Sequence, residues 1–143
     1  MRIPLSQYDF ANLDLNSALV DNLASLGYTE MTPIQAQALP PILENKDVIA
    51  KAKTGSGKTA TFALGLLNKL DVKRFRVQTL VLCPTRELAD QVALEMRKLA
   101  RGIHNIKVLT LCGGVAFGPQ KGSLEHGAHI IVGTPGRVEE HLQ

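Results

Sequence analysis

Residues 48–70, VIAKAKTGSGKTATFALGLLNKL, decide how the rest of the chain is read. An apolar run at 48–52 leads into the glycine-rich AKTGSGKT of 52–59, and a helical pattern follows. Strand, glycine-rich turn, Lys, Thr and helix is the order a phosphate-binding loop requires. Gly55 and Gly57 permit a wide turn whose backbone N–H groups point inward, and the following helix N-terminus adds the positive end of its dipole. Lys58 is suited to neutralise the β- and γ-phosphates, and the Thr59 hydroxyl to hold a Mg²⁺ ion bridging them. The expected nucleotide cradle is Ala52, Lys53, Thr54, Gly55, Ser56, Gly57, Lys58, Thr59 and Ala60, with Lys58 and Thr59 as its catalytic members. Ala52 stands where the general pattern has its first glycine.

Around this loop the chain alternates strand and helix. Apolar runs at 48–52, 79–83, 108–112 and 129–132 predict four buried parallel strands. Helical patterns are expected at 58–70, at 85–100 with Leu88, Val92, Met96 and Leu99 on one stripe, and more weakly at 119–126. Before the loop, Leu15, Leu19, Leu23 and Leu26 mark a short amphipathic helix stopped by Gly27. Thr32 and Pro33 open a second helix, which Pro40 and Pro41 are expected to interrupt. The pattern implies an α/β domain with a parallel sheet and flanking helices, whose ligands gather at the carboxyl ends of the strands.

Composition agrees with one domain. The 143 residues are 45% hydrophobic and 20% charged, which suits a packed core and excludes a disordered tail. No apolar run reaches the roughly 18 residues of a membrane span, and Pro4, Gln7 and Asp9 break any secretion signal, so a cytoplasmic protein without a membrane partner is expected. Cys83 and Cys112 end apolar runs and read as buried reduced thiols, while His126 and His129 read as ordinary loop residues without a metal. The net charge of +3 is uneven: residues 1–50 carry −4, 51–107 carry +8 and 108–143 carry −1. Asn45-Lys46-Asp47 precedes the phosphate loop and has its Asp one place early for a guanine-reading motif, so a GTPase is discounted.

Three further strings, GYTEMTPIQ at 27–35, PTRELA at 84–89 and TPGR at 134–137, join AKTGSGKT in the same order as in one family. With them the chain resembles a DEAD-box ATP-dependent RNA helicase, specifically the N-terminal RecA-like P-loop NTPase domain. The resemblance implies a Q-motif region at 1–37 and an incomplete ATP-binding domain at 38–143. It implies that Gln35 selects ATP through the adenine edge, with Phe10, Tyr28 and Thr32 beside it. Thr32 and Gln35 also fit a capping box, a structural use of the same side chain. Pro84, Thr85, Arg86, Gly113, Gly114, Thr134, Pro135, Gly136 and Arg137 correspond to the family's RNA-backbone contacts, which carry no base readout.

Within the family this implies ATP hydrolysis coupled to local RNA duplex unwinding, in ribosomal RNA work or ribosome assembly. The chain holds no Asp-Glu-Ala-Asp sequence and no Ser-Ala-Thr motif, and a helix opening at Pro135 runs to Gln143 without a stop signal. A truncated domain is therefore expected, inactive alone, missing its second RecA-like domain, and prone to self-associate through exposed sheet edges. Two other classes stay open on the residues alone: a P-loop kinase or ATPase of another family, and a non-catalytic RNA-binding module.

Overall fold

A computed structural model describes residues 9–52 and 57–143. The chain divides into two compact units, residues 1–69 with 99–103, and residues 70–98 with 104–143.

The first unit is helical. A 3-10 turn at Phe10–Asn12 precedes α1 (Ser17–Ser25), α2 (Pro33–Leu43) and α3 (Lys58–Lys69). The side chain of Asn16 accepts from Ala18 N to cap α1, and Leu19 and Leu23 are buried on its inner face. Helices α2 and α3 pack on one another, with Ile42 close against Gly65, and Ala38, Leu39, Ala63, Leu64 and Leu67 are buried in the core.

Pro40 and Pro41 do not interrupt α2, which continues to Leu43. Proline's fixed φ suits a helix, and what these two forfeit is two N–H donors. Their own carbonyls still accept, from Glu44 N at 3.1 Å and Lys46 N at 3.0 Å, so the helix loses only the two bonds that Ala36 O and Gln37 O would otherwise receive.

The expected strand at 48–52 does not form, and Ile49 is 92% exposed. A parallel strand is stabilised by neighbours along its edges and by layers on both faces. No described strand bonds to these residues, so their apolar character has nothing to pair with.

The second unit carries the sheet. Strands β1 (Thr79–Leu82), β2 (Val108–Leu111) and β3 (Ile130–Gly133) lie in the order β1-β3-β2, all parallel, as three of the four apolar runs predict. Central β3 is buried throughout, whereas edge strand β1 leaves Leu80 and Leu82 half exposed. Leu82 and Leu111 both pair with Gly133, so the three strands end level and their outgoing loops leave one edge. Each strand feeds a helix: α4 (Arg86–Leu99), α5 (Phe117–His126) and α6 (Pro135–Leu142).

The buried stripe of α4 runs through Ala89, Val92, Ala93 and Met96, while Leu88 is 40% exposed; the small Ala89 and Ala93 let the helix sit one residue further round. His129 is no loop residue. Its side chain is fully buried, accepting at Nδ1 from Lys107 N at 3.0 Å and facing Val72 O with Nε2 at 3.0 Å. A carbonyl can only accept, so Nε2 carries the proton and the ring is the neutral tautomer. Phe75 packs edge-on against it, with ring centroids 5.1 Å apart. His126 closes α5 and does not lie in a loop.

Candidate functional site

The sequence-derived site residues fall into two groups, one in each unit. In the first unit, the end of the expected phosphate loop meets the start of α2. Gly57 adopts φ +89° directly before α3, so Lys58, Thr59 and Ala60 form the first turn of a twelve-residue helix. That position gives their N–H groups and the helix dipole to an anion. Residues Lys53, Thr54, Gly55 and Ser56 lie outside the described residues.

Gln35 is buried and fully engaged. Its Oε1 accepts from Thr32 N at 2.9 Å and its Nε2 donates to Gly57 O at 3.3 Å. Thr61 Oγ1 donates to the same carbonyl at 2.9 Å. The side chain thus ties the start of α2 to Gly57, and of the expected capping box the half in which Gln35 reaches back to Thr32 N is formed. Thr32 Oγ1 is buried without a hydrogen-bond partner. Phe10 is buried at 2% exposure, and its N–H reaches Thr29 O at 3.3 Å beside the Asp9–Glu30 bridge. Tyr28 is 39% exposed, with its N–H on Leu23 O at 2.8 Å. The structure therefore brings Thr32, Gln35 and Gly57 together and puts Phe10 in the core.

In the second unit, the level strand ends place three loops along one edge. After β1 and Pro84, Thr85 Oγ1 accepts from Leu88 N at 3.2 Å as an N-cap of α4. Arg86 is loosely held, with Nε 3.9 Å from Asp90 Oδ2 and both side chains about half exposed. It lies close to Gly114, whose φ is +83°; a Cβ built there would stand 3.3 Å from Arg86 Nη1. After β3, Thr134 N donates to Leu111 O at 3.0 Å, and Pro135 and Gly136 open α6. Arg137 is different: its side chain is only 12% exposed, and Nη1 donates to Val115 O at 3.0 Å and to Gln120 Oε1 at 3.1 Å.

Gln120, buried and bonded to Cys112 O, Arg137 and His141, was missed by the sequence reading. A glutamine within a weakly amphipathic helix gives no periodic signal. Burial raises the Cys83 thiol, and burial together with the Asp90 charge raises that of Cys112, so both stay protonated and poorly nucleophilic. His141 is pushed down by burial and by the Arg137 cation, against an opposing pull from Glu140. Among the described residues no group of three His, Cys, Asp or Glu side chains could hold a metal ion, and no helix is long and apolar enough to cross a membrane.

The sequence pattern of the DEAD/DEAH box helicases matches residues 32–143, and the chain belongs to that family. It is 63% identical over 129 residues to the ATP-dependent RNA helicase DbpA of Escherichia coli, covering 90% of this chain and 28% of that protein. It is 45% identical over 134 residues to the ATP-dependent RNA helicase DeaD of Klebsiella pneumoniae, covering 94% and 21%. The crystal structure of a DEAD box protein from Methanococcus jannaschii superposes with a TM-score of 0.87 at 38% identity, covering 94% of this chain and 36% of that one. The fold is thus that of the family's RecA-like domain, and the chain spans about a quarter of the length of these curated relatives.

Proposed function

We propose that this chain is the part of an ATP-dependent RNA helicase that binds ATP on the phosphate loop and the RNA sugar-phosphate backbone on the loops after β1, β2 and β3. The observation that carries the reading is the level ending of three parallel strands. It sets the N-termini of α4 and α6 and the Gly113–Gly114 turn along one edge, where backbone N–H groups can take consecutive phosphates. Recognition of this kind ignores base identity.

On the nucleotide side, the first turn of α3 supplies N–H groups, Lys58 supplies a cation, and the Thr59 hydroxyl would hold Mg²⁺ with the phosphates. That donor set fits a magnesium triphosphate, since a hard cation brings oxygen ligands of its own from phosphate and water. When bound, the ion neutralises phosphate charge; Lys58 orients the chain, and the helix dipole stabilises the negative charge. Gln35 would exchange its present partners for the adenine edge, releasing Thr32 N and Gly57 O as it does so. No Asp-Glu-Ala-Asp sequence occurs in the 143 residues to orient the attacking water. The chain taken alone therefore binds without turnover, and hydrolysis and unwinding belong to a longer polypeptide that brings a second RecA-like domain, in the cytoplasm, with ribosomal RNA as its setting.

The test uses the complete natural polypeptide. Lys58→Ala should lower RNA-stimulated ATP hydrolysis by about a hundredfold or more, while labelled single-stranded RNA should bind every sequence alike, with an affinity that falls steeply with salt. Full hydrolysis by Lys58→Ala overturns the phosphate-loop reading, RNA binding by a wild type that hydrolyses no ATP favours a non-catalytic RNA module, and ATP turnover indifferent to RNA favours another P-loop enzyme.

A further inference from the structure

Arg137 belongs to the TPGR string, yet its guanidinium points into the unit. Nη1 holds Val115 O at 3.0 Å and Gln120 Oε1 at 3.1 Å, while Nε is buried without a hydrogen bond, 3.6 Å from Glu140 Oε1. Gln120 completes the arrangement from the other side. Its Nε2 donates to Cys112 O at 3.0 Å, and Oε1 also meets His141 Nε2 at 3.0 Å. The amide can sit only this way round: the Cys112 carbonyl accepts, the guanidinium donates, and His141 must present N–H to the shared oxygen. His141 is itself fixed by stacking on Phe117, with ring centroids 4.1 Å apart and planes 11° from parallel.

The two carbonyls held in this way flank one short turn. Cys112 precedes Gly113 and Gly114, and Val115 follows them, so Gln120 grips one end of the glycine turn and Arg137 the other. Gln120 Oε1 then joins both grips to α6. Gly113 and Gly114 have no side chains of their own to restrain the direction of their N–H groups.

From this we propose that Gln120 is a positioning residue for RNA. It locks the Gly113–Gly114 turn to the first turn of α6, so that two sets of backbone donors face the same RNA strand in one register, and Arg137 serves as the tie between them instead of as a phosphate ligand. The inference rests on the RNA-backbone reading above. Preorganising donors in this manner removes an ordering cost that RNA would otherwise meet on binding. Gln120 itself carries no charge, so its loss weakens binding without altering counterion release.

The measurement is the binding of a labelled single-stranded RNA to the complete natural polypeptide across a salt series, with ATP affinity measured without RNA. Gln120→Ala is expected to weaken RNA binding about tenfold, as loss of a buried hydrogen-bond network does. The slope against salt and the ATP affinity should stay as in the wild type, and amide exchange at residues 113–116 should quicken. Gln120→Glu keeps acceptors for Arg137 and His141 but cannot donate to Cys112 O, and should fall between the two. His141→Ala, which leaves Gln120 in place, should weaken RNA two- to threefold and serves if Gln120→Ala fails to fold.

Unchanged RNA affinity in these variants overturns the inference alone. So does an equal loss of ATP affinity, which marks Gln120 as a fold residue only. If Arg137→Ala flattens the salt slope by about one charge, Arg137 contacts phosphate directly and the tie is refuted. A wild-type protein that binds no RNA refutes the function reading itself.

Discussion

Gly57 and Gly114 lie in different units, both adopt a left-handed backbone, and each faces a side chain assigned to ligand binding. They differ in what surrounds that side chain. A Cβ on Gly57 would stand 2.5 Å from Gln35 Nε2 and 3.2 Å from Thr32 Oγ1, and Gln35 is buried with both ends of its amide bonded. A Cβ on Gly114 would come no nearer than 3.3 Å to Arg86 Nη1, the tip of a half-exposed chain held by one long ion pair. The proposed nucleotide side is therefore a closed contact between Gly57 and the start of α2. On the RNA side the arginine is left loose, and order comes instead from the buried Gln120 and Arg137 network.

Gly57→Ala attacks the closed contact and should have the largest effect, roughly 2–4 kcal/mol in a denaturant titration, from left-handed strain plus overpacking. In Gly57→Ala combined with Gln35→Ala, the loss should fall short of the sum of the single losses, because the clash has gone. Strict additivity would show that the two residues do not touch in solution. Gly114→Ala should cost about 1–2 kcal/mol, the left-handed strain alone, since Arg86 can swing aside. A loss equal to that of Gly57→Ala would erase the distinction.

His141 gives a smaller effect that depends on pH. Its folded pKa lies below the ordinary 6.5, so the unfolded chain binds the proton more readily. Stability should then decline as pH falls through 6.5 towards the lowered folded value, and His141→Ala should flatten that part of a melting-temperature profile. An unaltered profile would remove His141 from the Gln120 network. The smallest change is Asp90→Ala, which removes a surface ion pair of 3.9 Å and should cost no more than about 0.5 kcal/mol. A larger loss would mean that Arg86 is held as firmly as Gln35.

Much of the fold can be read in the residues. Leu19 and Leu23 at helical spacing, Thr32 before Pro33, and Gly27 past the end of α1 announce their helices through local chemistry, and the apolar runs at 79–83, 108–112 and 129–132 become β1, β2 and β3. The run at 48–52 looks no different, yet it stays outside any ladder, because pairing is a property of the neighbours and not of the run. Pro40 and Pro41 mislead because proline's fixed φ is itself helical, so α2 runs on through them at the cost of two backbone hydrogen bonds.

The site divides in the same way. AKTGSGKT, PTRELA and TPGR are legible as strings because phosphate recognition by backbone N–H groups needs glycines, a helix start and a cation at set spacings along the chain. Which side chains face inward was not legible. Arg137 reads as an RNA contact, His129 as a loop residue, and Gln120 gives no signal, yet all three are held in hydrogen bonds with groups from other elements.

What the amino-acid order settled unaided was the family and most of the succession of strands and helices, the strand expected at 48–52 excepted, since these depend on contacts between near neighbours in the chain. Tertiary packing alone decided that Gln35 closes on Gly57, that His129 is an internal bridge, and that Gln120 and Arg137 fasten the glycine turn. A buried polar group takes whichever partner the folded backbone puts within 3 Å or so, and that partner is chosen by topology.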